Sequence, residues 1–304
     1  MRKHYVTDIS SVFPSTTVAA TTSILSGYSP LECGWLGWDL YFEEIGENVA
    51  VFKNTLQRNG EPATKYNVAH KYIPYKNVMQ RIEKVKGRKS AYCVAFFSKY
   101  RIKSVEDICR KIYKLSQKRK KKYIYAYWNQ PDHAMHGHGV TSPEAHKEIL
   151  HINSEVEKLC GKLKDSLVII TADHGLCDGK TEYLEDYPQI TELLKRPPSI
   201  EPRALSFFIK EGKTEEFKTE FNKVFGDSFR LMTKEEVFSE NILGYGKAHP
   251  KTADFIGDFF AVALGETNID YKRGYFEMVG VHAGLTEEEM TVPFIAIETE
   301  KRQK

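Results

Sequence analysis

Four places in the sequence carry residues able to do metal or nucleophile chemistry. Asp132 and His136 lie four apart in PDHAMHGHG, directly after the apolar run YIYAYW. Four residues is one helical turn, so both side chains fall on one side of a helix starting there. A hard carboxylate oxygen beside a borderline imidazole nitrogen suits Zn²⁺ or a similar divalent ion. His133 and His138 flank the pair and are expected to face solvent or to stand behind it. Asp173 and His174 follow the run LVIITA, with Gly175 expected to allow the turn that lets both reach one metal. His282 sits in a loop between Gly280 and Gly284, just before Thr286 and Glu289, which fit a helix capping box. Thr16 and Thr17 stand at the start of a helix marked by Pro14 and ended by Gly27. A hydroxyl there lies at the positive end of the helix dipole, where a phosphate is stabilised. Taken singly, each motif also reads as ordinary capping or surface chemistry. Taken together, they suggest a phosphoryl-transfer centre in which two metals, about 3.5–4 Å apart, activate a hydroxyl and clamp a leaving oxygen.

The elements that must position these groups are legible as short apolar runs. Tyr123–Trp128, Leu167–Thr171 and Val292–Ile297 read as strands covered on both faces, as in a parallel sheet. Helical spacing precedes two of them, from Ser104 to about residue 118 and from Pro143 to about residue 163. The alternation predicts an α/β fold with a mostly parallel central sheet and helices on both faces. Residues 46–90 and 196–245 interrupt the rhythm and read as cap-like insertions, the second α+β in character. That leaves 1–45, 91–195 and 246–304 as three parts of one catalytic core. Trp35, Trp38, Tyr41 and Phe42 read as a packed aromatic corner, or else as the lining of a substrate pocket.

With 41% hydrophobic and 28% charged residues, the 304-residue chain falls among globular proteins, which excludes disordered and fibrous classes. No apolar run is long enough to span a bilayer, and the N-terminus lacks a signal-peptide core. Five cysteines without a CxxC pair point to reduced, buried thiols and a cytoplasmic location. A formal charge of +3 gives no reason to expect a nucleic-acid polymer or a membrane as partner. The run Lys118–Lys122 reads as the solvated end of a helix.

The ordered set FPSTTVAATTSILSG, PDHAMHGHG, TADHG and VHAGLTEEEMTVP resembles the alkaline phosphatase superfamily, and within it the type I phosphodiesterase/nucleotide pyrophosphatase branch. The motifs run from residue 13 to residue 293, nearly the whole chain. The resemblance implies Thr17 as nucleophile, with Thr16 as its neighbouring rival. It implies one metal, most naturally Zn²⁺, on Asp132, His136 and His282, and a second on Asp173, His174, the Thr17 oxygen and one further Asp. That further Asp normally ends a strand well upstream of the nucleophile. Only 16 residues precede Thr17, and Asp8 is too close in sequence to match, so the first strand is expected to be lacking. Trp38 stands near the position where relatives offer an Asn to the phosphate.

The function expected is hydrolysis of a small phosphate ester, a diester or nucleotide pyrophosphate rather than a monoester, through a phospho-threonine intermediate. The competing expectation is a truncated or degenerate relative that binds a phosphorylated ligand with weak or no turnover. A phosphate mutase would need a larger insertion, and a zinc protease would need H-E-x-x-H, which is absent.

Overall fold

The computed structural model describes residues 1–118, 120–274 and 277–302. The chain divides into two compact units, one of residues 1–9, 76–172 and 292–304, the other of residues 10–75 and 173–291.

In the first unit the strands Ala91–Val94 and Tyr123–Ala126 run parallel, Ala91 opposite Tyr123. A separate three-stranded sheet places Thr291–Glu298 between Tyr5–Ser10 and Leu167–Ile170. The two expected helices form at Val105–Ser116 and Pro143–Lys162. Each starts at a serine whose hydroxyl accepts a backbone N–H: Ser104 from Asp107, Ser142 from Ala145. Ile108 and Leu115 pack with Val94 and Ile102, while Val105 and Cys109 pack with Leu159 and Leu163.

The second unit is built on a seven-stranded sheet. Its order is Phe229–Thr233, Phe259–Ala263, Ala204–Phe207, Ser199–Glu201, Asp39–Phe42, Glu47–Ala50 and Thr55–Leu56. Strand alternation feeds two cores. Phe259, Ala261 and Ala263 join Phe217, Phe221 and Phe225 of the helix Thr214–Phe225, whereas Phe260 and Val262 join Trp35, Leu40 and Phe42 on the other face. Trp35 and Phe42 are thus core residues, as the packed-corner reading expects. Tyr41 instead stacks on the Arg196 guanidinium, 3.5 Å from the ring centroid.

Two expectations are corrected. The largest sheet is antiparallel throughout, and parallel pairing is seen for Ala91–Val94 with Tyr123–Ala126 and for Thr267–Asp270 with Lys180–Tyr183. Short connections such as Pro202–Arg203 close hairpins, which a parallel pair cannot use. An apolar run also encodes burial but not direction. Nor are the site-bearing strands covered on both faces: Leu167 is 67% and Ile169 55% exposed, while Val168 between them packs on the helices. A strand does precede Thr17, at Tyr5–Ser10, and all six of its residues are exposed. Of the basic run, Arg119 lies outside the described residues. Lys118, Lys120 and Lys121 are exposed beyond the helix that ends at Ser116.

Candidate active site

The helix Thr17–Ser26 begins after Thr16, whose extended backbone (φ −132°, ψ 151°) marks the helix boundary, and ends at Gly27 in the left-handed region (φ 70°). Val18 to Thr22, five consecutive residues, are buried, so the helix is enclosed all round just after its first residue. This fixes the direction in which its first residue points. The two adjacent threonines are not equivalent. Thr16 is 1% exposed, and its hydroxyl donates to Glu201 Oε1 at 2.6 Å. That oxygen also accepts the Trp38 N–H at 2.7 Å. Thr17 Oγ1 instead lies 3.1 Å from His174 Nε2.

The hydrogen bonds assign the imidazole tautomers. His174 Nδ1 lies 2.9 Å from the Gly175 carbonyl, which can only accept, so Nδ1 carries the proton and Nε2 is the basic nitrogen facing Thr17. His282 Nδ1 makes the same kind of bond to the Ser15 carbonyl at 3.1 Å. The two rings lie nearly face to face, centroids 3.9 Å apart at 31°. Asp173 Oδ2 is 3.8 Å from His174 Nε2. Thr17, Asp173, His174 and His282 are therefore gathered within one unit. In the other unit Asp132 opens the helix Asp132–His138, and its Oδ1 lies 3.3 Å from His136 Nε2, on one side of the turn as the spacing predicts. His133 and His138 are exposed.

Gly175 serves differently from expectation. Its φ is not left-handed. It is needed because a Cβ would lie 1.9 Å from the Glu288 carbonyl oxygen, and its own N–H donates to Glu289 O. The His282 loop is held from below by an ion pair that the sequence reading missed. Arg203 and Glu289 are fully buried, joined by two 2.7 Å bonds. Arg203 also donates to the carbonyls of Thr267 and Gly265. Glu289 accepts the Gly284 N–H at 2.7 Å and the Thr286 hydroxyl at 2.8 Å. A Cβ on Gly284 would lie 2.6 Å from Glu289 Oε2, and Ala283 is held at φ 95°. Glu289 was legible only as half of a capping box. Arg203, at the head of the apolar run ALSFFI, was the available hint.

Burial shapes the other titratable groups of this unit. It pushes the Asp39 and Asp270 carboxyls each up to about 6, and the Cys33 and Cys177 thiols up to about 11. All five cysteines are free thiols, and these two are no nucleophiles at neutral pH.

The profile of the family described as Type I phosphodiesterase / nucleotide pyrophosphatase matches residues 1–284. No curated protein sequence matches the chain significantly. Among solved structures it is similar to murine ectonucleotide pyrophosphatase/phosphodiesterase 5 in an inactive form with AMP. That match has 16% identity and a TM-score of 0.71, and covers 97% of this chain and 79% of that one. It is also similar to the human protein of the same name (17%, 0.67, 98% and 84%). Phosphonoacetate hydrolase from Sinorhizobium meliloti 1021 with phosphonoformate matches to the same degree (17%, 0.69, 98% and 82%). At such identities these likenesses speak to the fold.

Proposed function

Because the chain belongs to the type I phosphodiesterase/nucleotide pyrophosphatase family and is thereby a phosphoric ester hydrolase, we propose that Thr17 is its nucleophile and that the reaction passes through a phospho-threonine. The observation that carries this is the hydroxyl of Thr17 on a helix tip, 3.1 Å from the basic nitrogen of His174, while Thr16 is committed to Glu201.

The donors fit divalent ions: a hydroxyl, an imidazole nitrogen and a carboxylate meet at Thr17, His174 and Asp173, and a carboxylate and an imidazole at Asp132 and His136. In this reading Asp173, His174 and Thr17 hold one ion and Asp132, His136 and His282 the other, with Zn²⁺ the natural occupant. When bound, the ions supply a lowered hydroxyl pKa and neutralise phosphate charge. Thr17 Oγ1 attacks phosphorus in line, its proton is released, and the bond to the leaving oxygen breaks. Water then attacks the phospho-threonine from the opposite side and restores the hydroxyl. The helix N-terminus favours the anionic phosphoryl group throughout. The Gly175 and Ser15 carbonyls hold the two imidazoles in their working tautomers.

The substrate class is a small phosphodiester or nucleotide. AMP and phosphonoformate, bound by the structural neighbours, are of the right kind. Phe96 and Phe97, about half exposed and 5.1 Å apart beyond the end of the strand Ala91–Val94, suit an aromatic leaving group. Segments 46–90 and 196–245 would select among esters as caps. Free cysteines suit the cytoplasm, and among the described residues no helix is long and apolar enough to cross a membrane.

The test is turnover of bis(p-nitrophenyl) phosphate. Thr17→Ala should abolish it and Thr16→Val should largely keep it, with phosphate trapped on the Thr17 peptide by acid quench. Full turnover by Thr17→Ala would end the assignment. A second reading, a ligand-binding relative with weak turnover, draws on one observation: Asp8 is the sole carboxylate of the strand ahead of Thr17, and it is exposed. Metal content after zinc loading separates the two, since that relative should retain one ion per chain and the enzyme two.

A further inference from the structure

The net charge of +3 conceals a concentration. Between residues 76 and 122 lie seventeen Lys and Arg against three Asp and Glu, so the rest of the chain is net acidic. The three acids are already engaged: Asp107 with Arg110, Glu106 with His151, and Glu83 with the Lys89 N–H. The fold then gathers part of this charge at one edge. The parallel pairing of Ala91 with Tyr123 sets the chain before each strand side by side, so the segment Lys84–Lys89 comes beside Lys120–Lys122. Lys120 Nζ donates to the Arg88 carbonyl at 3.0 Å. Arg302 adds another cation beside Lys122, whose ammonium is lowered by burial and by Arg302 and Lys118.

The helix Val78–Lys86, capped by Asn77, runs into this edge. At 3.6 residues per turn Val78, Met79, Ile82 and Val85 fall on one side, with Lys86 among them and Arg81 and Glu83 at its two borders. None of its residues is fully buried, and Val85 is 77% exposed. Gln80, Arg81, Lys84, Val85 and Lys86 are the exposed residues, so the outer face is basic with Val85 at its border, and such a face suits anionic headgroups with the valine reaching the acyl boundary.

We propose that the helix Val78–Lys86 together with Arg88, Lys89, Lys118 and Lys120–Lys122 forms a docking surface for an anionic phospholipid bilayer. Charge complementarity names the occupant, and the uncovered Val85 favours lipid over nucleic acid, which would have no use for it. Asp132 and His136 follow the opposite, C-terminal end of the strand Tyr123–Ala126, about 13 Å along at ~3.3 Å per residue. Docking by the basic edge therefore leaves that pair facing away from the bilayer, so the contact tethers the enzyme and the substrate arrives from water.

The experiment is flotation of the full chain with phosphatidylcholine vesicles, with and without phosphatidylserine. Binding should require phosphatidylserine and fall with salt. Charge reversal of Lys120, Lys121 and Lys122 to Glu should lower vesicle affinity ~100-fold or more. Val85→Ser should lower it about 5-fold. Both variants should keep the wild-type circular dichroism, and the charge-reversal variant its diester turnover. Equal binding to neutral vesicles, or no loss on charge reversal, overturns the proposal. So does tight binding to double-stranded DNA that ignores Val85→Ser while vesicles are ignored altogether.

Discussion

Removing both halves of the Arg203–Glu289 pair should cost clearly less than the sum of removing each. Each side chain is fully buried, and each is saturated by the other and by the backbone. Glu289→Leu leaves a guanidinium in the core with its Nε unanswered, and strips the Gly284 and Thr286 N–H groups of their acceptor. Arg203→Met leaves a carboxylate that still accepts three bonds from Gly284 and Thr286, but abandons the carbonyls of Thr267 and Gly265. Breaking a buried pair on one side costs ~3–5 kcal/mol, because an uncompensated charge stays behind. Glu289→Leu should sit at the upper end of that range and Arg203→Met at the lower. The double variant removes both charges, and its loss should fall short of the sum by about 2–3 kcal/mol. Urea unfolding of the four proteins at one pH gives the cycle. Because Glu289 anchors Gly284, two residues from His282, the folded fraction of each single variant should also lose kcat, and misplacement of ~1 Å would account for about 100-fold. Additive losses, or single losses below ~1 kcal/mol, would refute the argument that this pair works as a unit.

Other outcomes follow from the same geometry. Gly175→Ala should destabilise the fold by about 1–3 kcal/mol and depress turnover, since the new methyl meets backbone at Glu288; a Tm equal to wild type would contradict this. The Asp39 carboxyl titrates near 6 in the fold and near 4 when unfolded, so the folded state holds its proton more tightly. Its contribution is fully present below pH ~4 and lost as pH rises through ~6, so Asp39→Asn should gain roughly 1–3 kcal/mol at pH 8 and nothing at pH 4. Cys33, 3% exposed with its thiol pushed up to about 11, should resist Ellman's reagent at pH 7.5 until urea unfolds the chain.

Local chemistry was readable where local physics decides it. Ser104 and Ser142 start their helices, Gly27 ends the one that begins at Thr17, and the four-residue step from Asp132 to His136 becomes a 3.3 Å approach within one helical turn. The order of Thr, Asp, His and Gly along the chain likewise carried the family. The seven-stranded sheet was not readable in the same way. Phe259–Ala263 is apolar on both faces, which fits a parallel or an antiparallel neighbour equally well, and the choice fell to hairpins of a few residues. Tyr123–Ala126 and Leu167–Ile170 are apolar too, yet half of their side chains face outward.

The sequence by itself determined which residue types are available, where helices begin and end, and which family the motifs follow, because each depends on a few neighbouring torsions and side chains. Only the tertiary structure gave Thr16 and Thr17 different partners. Their neighbours in sequence are the same, but one hydroxyl meets Glu201, 185 residues on, and the other meets His174, 157 residues on. Only the fold gave Gly175 its close approach to Glu288, and Glu289 its buried Arg203. Pairings over such distances leave no periodicity in the chain; they exist once packing has fixed which backbone lies against which.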